Sequence, residues 1–209
     1  MSEAILSLSY GKDSLACIEA IHRLNLPLDR IIHAEVWATE DIPAEFPNMV
    51  EFKAKADRII KERWGITVEH FCAKERDGSK RSFESIFYRK VGEKAFAHRT
   101  VRYYEGTGRF QDVPLGIYGF PLIHRGWCNS HLKMAALSQC PKGVSYIGIA
   151  ADEKERIARH QGKDGVRLPL VEIGWSEADC RKWCEENDLL SPIYTESARG
   201  GVGFVLAKD

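Results

Sequence analysis

Ala4-Ile5-Leu6-Ser7-Leu8, then Ser9-Tyr10-Gly11-Lys12-Asp13-Ser14, then Leu15, Ile18, Ile21 and Leu24 at three-residue steps form one continuous run whose periodicity changes partway. The first segment is short and apolar, the composition of a buried strand; the second is loop-forming; the third places one apolar stripe along a helix, with Cys17 and Ala20 beside it. Asn25 and Pro27 end that helix. Working outward, Ile31 to Trp37 reads as a second strand and Pro47 to Arg63 as an amphipathic helix opening on a proline. Thr67 to Phe71 follows Gly65 as a third strand. Alternating strands and helices predict an α/β fold: a mostly parallel sheet with helices on both faces.

The alternation breaks after the third strand. From Ala73 to Gly126 the chain is rich in Phe, Tyr, Arg and Lys with several glycines, and supports one helix, over Phe83 to Ala97. Residues 73–126 are therefore expected to be an insertion within a single domain spanning 1–209. The pattern resumes with a helix over Asn129 to Leu137, a strand over Val144 to Ala150, a charged segment from Asp152 and a short strand over Arg167 to Val171. A last helix runs from Ser176 to Asn187. Ser176 is a good N-cap, but Asp179 in place of Glu or Gln falls short of a full capping box.

Composition narrows the function classes. The 209 residues, 44% hydrophobic and 29% charged, suit one globular domain and exclude a disordered chain. Thirty Lys and Arg balance thirty Asp and Glu, so no whole-molecule field draws a nucleic acid or an anionic membrane. No run approaches the roughly 18 apolar residues of a membrane span, and no basic stretch leads into an export-type apolar segment; a cytoplasmic protein without a membrane partner is expected. Six scattered cysteines with no Cys-x-x-Cys then predict reduced thiols. Cys180 and Cys184 share a helix face and are expected to pack against the core rather than to hold zinc.

The loop Ser9 to Ser14 carries the chemistry. A helix N-terminus offers unpaired N–H groups and a partial positive charge, which suits phosphate. Gly11 leaves room for a close approach, Lys12 adds a charge, and the Ser9 and Ser14 hydroxyls are potential phosphate donors. Asp13 beside an anion makes sense as an N-cap or as a ligand for Mg²⁺ bridging the phosphates. A Walker loop is excluded, because Leu6 stands where it needs Gly and Asp13 where it needs Ser or Thr. The dinucleotide fingerprint fails for want of companion glycines.

Ser9, Gly11, Asp13 and Ser14 instead resemble the Ser-x-Gly-x-Asp-Ser pyrophosphatase loop of the PP-loop superfamily, with Tyr10 where the family usually has Gly. Later segments resemble its phosphoadenosine-phosphosulfate (PAPS) reductase branch. They are Tyr118-Gly119-Phe120-Pro121, Arg125-Gly126-Trp127-Cys128 with Leu132-Lys133, Gly148 through Asp152-Glu153 to Arg156, and Pro169-Leu170 leading to Trp175-Ser176-Glu177-Ala178-Asp179. The resemblance implies an adenine nucleotide alpha-hydrolase-like sheet, phosphates on Ser9 to Ser14, and adenine around Val36, Trp37 and Ala38. Trp37 would stack on the base or serve as core. Arg125, Lys133, Arg156 and Arg159 would face an anionic substrate, or, for the last two, form surface ion pairs. Cys128, flanked by Arg125 and Lys133, is either a low-pKa thiol or a buried inert one.

The same resemblance marks what is missing. No cysteine follows Cys184, so the mobile-tail thiol of a thioredoxin-dependent reductase is lacking; Cys128 stands alone, so no iron-sulfur cluster is expected. The chemistry left is cleavage of ATP or a related adenylyl nucleotide between the alpha and beta phosphates, with adenylyl transfer to an unidentified acceptor and pyrophosphate release. Ser9, Lys12, Ser14 and Mg²⁺ on Asp13 would carry it. The rivals are a sulfonucleotide reductase using Cys128 and a non-catalytic adenine-nucleotide sensor. The segment Lys74 to Arg109 holds ten Lys and Arg against five acids, interleaved with Tyr88, Tyr103 and Tyr104 and followed by Phe110. That composition fits a helical lid or a homo-oligomer contact, and secondarily a nucleic-acid grip.

Overall fold

The computed structural model describes residues 2–90, 100–104, 110–114, 116–121 and 126–196. Five strands, β1 (Glu3–Ser7), β2 (Arg30–Glu35), β3 (Val68–Cys72), β6 (Gly143–Tyr146) and β7 (Val166–Arg167), form one sheet in the order β3-β2-β1-β6-β7. All four pairings are parallel. β4 (Thr100–Tyr104) and β5 (Phe110–Pro114) make a separate antiparallel hairpin. The helices are α1 (Lys12–Arg23), α2 (Pro47–Trp64), α3 (Phe83–Phe87), α4 (Met134–Leu137), α5 (Lys154–His160), α6 (Pro169–Glu172), α7 (Glu177–Glu186) and α8 (Ile193–Glu196). A π-helical stretch, Asn129–Lys133, leads into α4.

The two faces of β2 show how the sheet is covered. Side chains alternate along a strand. Ile31 joins the main core with Leu15, Ile18 and Ile21 of α1, Phe52, Ala56 and Ile60 of α2, and Cys180, Trp183 and Cys184 of α7. Ala34 packs on the opposite side with Ala73 and Ala136 of α4, and Val36 against Ile86, Trp127, Cys128 and Leu132. Helices therefore lie on both faces, as expected. The pairing order has a consequence for ligands: the chain leaves β1 for β2 and β3 on one side, then crosses to β6 and β7 on the other. The gap between the carboxyl ends of β1 and β6 is thus a topological switch point, where open parallel sheets take their ligands.

Several boundaries differ from the sequence reading. The expected strand over Val144 to Ala150 stops at Tyr146, and the one over Arg167 to Val171 at Arg167, because Pro169 opens α6. The expected helix over Phe83 to Ala97 ends at Phe87; Tyr118 N–H bonds Arg89 O at 3.0 Å and Lys90 bridges Ile117, so the chain leaves the helix to pair, and 91–99 lie outside the described residues. Between β3 and β6 the described residues add no strand to the parallel sheet, which is where the insertion was placed. Ser176 does form a full capping box: its hydroxyl accepts the Asp179 N–H at 3.3 Å and Asp179 Oδ2 accepts the Ser176 N–H at 2.9 Å. Aspartate reaches because the N-cap backbone stands close to the third helical residue. Cys180 and Cys184 are both fully buried, as their shared face predicted.

Candidate functional site

A cavity of about 350 Å³ opens at the switch point. Its floor is the loop from Ser7 to Gly11 with Asp13 and Ser14, its walls come from Ile32 to Ala34, Val36, Lys53 of α2, Lys133 and Leu137, and Gly148 and Tyr194 close it; the Lys12 side chain lies beside this space and does not line it. The first turn of α1 enters this space. Its N–H groups have no carbonyl one turn back, and Leu15 is the first to bond within the helix, to Gly11 O at 3.1 Å. Gly148 makes the arrangement tight. A Cβ there would stand 2.7 Å from Asp13 O and 2.8 Å from Ser14 Cα, so the chain after β6 lies directly against the first turn of α1.

The loop holds itself through its own hydroxyls. Ser14 Oγ donates to Gly11 O at 2.9 Å and accepts the Ser9 N–H at 3.2 Å; Ser9 Oγ, 3.0 Å away, then gives its proton to Ser14 Oγ. The sequence marked both hydroxyls as potential phosphate donors; in the structure they hold the turn. Asp13 is not the N-cap either, since Gly11 occupies that position and Asp13 lies in the first turn.

Tyr10 explains its own departure from the glycine pattern. Its φ is +58°, in the region glycine adopts freely and other residues rarely. The side chain turns inward and is 1% exposed, so it offers no stacking surface to a ligand. Its hydroxyl donates to Asp57 Oδ1 at 2.5 Å and lies 3.3 Å from His70 Nε2. His70 in turn sits between Asp57 Oδ2 and Glu35 Oε1, both at 3.0 Å, and these carboxylates raise its pKa to about 9. Next to it, His33 is neutral. Burial, and then the Lys53 charge, push its pKa down to about 3. Lys53 Nζ donates to His33 Nε2 at 2.7 Å, which leaves the proton on Nδ1 to bond Leu8 O at 2.8 Å. Glu45 pairs with the same ammonium.

At the other end of the loop, Lys12 Nζ lies 2.9 Å from Asp13 Oδ1 and 3.3 Å from Glu177 Oε1. Asp13, Glu153 and Glu177 bring oxygens within 4.8 Å of one another. Burial raises the Asp13 pKa; Lys12 opposes this, and the two glutamates add to it. For Lys12 burial works against the charge, but Asp13 and Glu177 outweigh it and its pKa rises.

The remaining predicted residues divide. Lys133 and Arg156 line the cavity; burial and then Lys53 lower the Lys133 pKa, and Arg156 pairs with Glu153. Arg159 does not line it, and donates to Glu155 O on its own helix. Arg125 lies outside the described residues. Trp37 lines a neighbouring cavity of about 230 Å³ that shares Val36, Glu45 and Lys53 with the first; its indole donates to Glu35 Oε2 at 3.1 Å and carries Lys80 Nζ 3.4 Å above the ring. Ala38 lines neither, because its N–H bonds Ile42 O and its carbonyl accepts from Glu84. Cys128 packs with Ile86, Trp127 and Leu132 off the cavity, and burial raises its pKa, the direction of the buried-thiol alternative.

The sequence reading marked Gly148 as the start of a family-like segment but missed His33, Lys53, Glu45, Asp57, His70 and Tyr194 as site residues. Only the position of His33 in a strand run, two residues before Glu35, offered a signal. Comparison with known proteins finds no matching family model and no match among curated proteins. The likeness to the PP-loop group therefore rests on the motifs themselves.

Proposed function

We propose that this chain is a PAPS reductase-like PP-loop enzyme, with an adenine nucleotide alpha-hydrolase-like fold, that binds ATP or a related adenylyl nucleotide and cleaves it between the alpha and beta phosphates. One observation carries the reading: the first turn of α1 opens into the cavity at the switch point of a parallel sheet, behind a Ser-x-Gly-x-Asp-Ser loop. The amides of that turn and the Lys12 ammonium would bind the phosphates. Val36, Ala34 and Leu137 supply an apolar wall suited to a base.

Asp13, Glu153 and Glu177 form an all-oxygen donor set, the kind a hard divalent cation takes, and such a charge would relieve the partly buried Asp13 carboxylate. Mg²⁺ held there would neutralise charge on the departing pyrophosphate. Lys12, now on Asp13 and Glu177, would turn toward the phosphates when the cation takes those carboxylates. Lys133 and Arg156, at the cavity wall, would orient the anionic end of nucleotide or acceptor. Cys128, buried off the cavity, lends the reductase alternative no support.

Calorimetric titration with ATP and Mg²⁺, followed by a pyrophosphate-release assay with candidate acceptors, tests the proposal. Micromolar binding that requires Mg²⁺ supports it, and heat-silent titration with ATP, adenylyl sulfate and PAPS alike removes it.

A further inference from the structure

The amide that should be the first to greet a phosphate already has a partner. Lys12 N–H donates to the hydroxyl of Tyr194 at 3.2 Å. The same oxygen lies 3.2 Å from where a Cβ on Gly11 would stand, so the phenol fills the space that the glycine keeps open. Lys12 Nζ sits 5.8 Å from the centre of the Tyr194 ring. Tyr194 thus occupies both parts of the anion-binding turn, the leading amide and the approach to the ammonium.

We propose that Tyr194 is an internal stand-in for a phosphate oxygen, an autoinhibitory contact that a polyanion must displace before it can use the first amide of α1. This rests on the nucleotide reading for the identity of the ligand, though not for the contact itself.

The chemistry makes the displacement favourable for the right ligand. Burial holds the phenol protonated, with its pKa raised, so the oxygen is a neutral acceptor. Hydrogen bonds to an anionic oxygen are roughly twice as strong as those between neutral groups, so a phosphate outcompetes the phenol whereas an uncharged ligand does not. The chain before Tyr194 is anchored. Leu189 and Ser191, just before α8, are fully buried, and Ser191 Oγ contacts Met49 Sδ at 3.1 Å. Tyr194 itself is only partly buried, so its side chain can rotate out without moving that anchor. The consequence falls on polyanions alone: a ligand that uses the first amide of α1 must give up the Tyr194 contact, whereas one that does not reach that amide leaves the contact in place.

The test compares the full chain with Tyr194→Phe, which keeps the ring and removes only the oxygen. Without ligand, the Lys12 amide should exchange its hydrogen faster in the variant, read by NMR. With ligand, ATP and inorganic pyrophosphate should bind about two- to tenfold more tightly to the variant, the gain from releasing one hydrogen bond. Adenosine should bind both proteins equally. Unchanged Lys12 exchange, or equal or weaker polyphosphate binding by the variant, overturns the proposal while leaving wild-type ATP binding to speak for the nucleotide reading. If neither protein binds ATP but the variant takes pyrophosphate more tightly, the nucleotide reading falls and the displacement stands. If neither binds either polyanion, both fall.

Discussion

The phenol of Tyr10 donates to Asp57 Oδ1 across 2.5 Å, tying the loop below the cavity to the middle of α2. A left-handed backbone at a non-glycine residue costs about 1–2 kcal/mol. Burial of the ring and its hydrogen bond offset that strain, and they fix the loop's shape from beneath. Tyr10→Phe keeps the packing and leaves Asp57 one donor short, so a loss of about 1–3 kcal/mol is expected in urea unfolding. Tyr10→Gly puts in the residue usual in the PP-loop pattern and relieves the strain, yet leaves a void where the ring was; it should cost more than Tyr10→Phe. Equal midpoints for all three proteins would show that Tyr10 does not hold the loop.

The two histidines beside Tyr10 predict opposite slopes of stability with pH. His70 has its pKa raised to about 9, so its contribution is complete below the unfolded value near 6.5 and is lost as pH climbs through 9. His33 has its pKa lowered to about 3, so folding is penalised as pH falls below about 6.5, where the unfolded chain takes a proton the folded one refuses. Denaturation midpoints from pH 5 to 10 check both. His70→Gln should flatten the alkaline slope and leave the acid one unchanged.

Gly148→Ala should be poorly tolerated. The nearest atoms to the new methyl are backbone atoms of Asp13 and Ser14, which cannot rotate aside, so the first turn of α1 must shift. Overpacking of this kind costs about 1–3 kcal/mol. A drop in thermal midpoint with loss of nucleotide binding is expected. A variant as stable as the wild type, with full affinity, would show that the two segments are not held together as described.

Lys12→Ala and Asp13→Ala should weaken ATP binding without unfolding the protein, since both side chains lie at the end of the sheet rather than in its core. Lys12→Ala removes a phosphate partner and should cost about tenfold or more in affinity. Asp13→Ala should act through the cation, so its defect is expected to appear as a loss of the Mg²⁺ dependence of ATP binding. Calorimetry beside circular dichroism separates these effects from misfolding.

Much of the architecture could be read from local pattern. The switch from the apolar Ala4 to Leu8 run to the three-residue spacing of Leu15, Ile18 and Ile21 marks strand, turn and helix, because each residue's face depends only on its neighbours. Some departures had local reasons as well: Pro169 cut a strand short, and Asp179 served where Glu was expected, whereas the helix from Phe83 ended early because Arg89 and Lys90 pair with Tyr118 and Ile117, nearly thirty residues on.

The site divides along the same line. Sequence alone determined that a glycine-containing loop precedes α1, which residues it contains, and that a parallel sheet would present it at its carboxyl end, since these follow from chain order and period. Only the tertiary structure decided that Tyr10 points inward, that Cys128 lies buried off the cavity, and that Gly148 and Tyr194 close on the loop. Tyr194 stands 182 residues from the Lys12 amide it bonds. No spacing rule connects such a pair, because their meeting depends on how the sheet and its covering helices pack, not on any property carried along the chain.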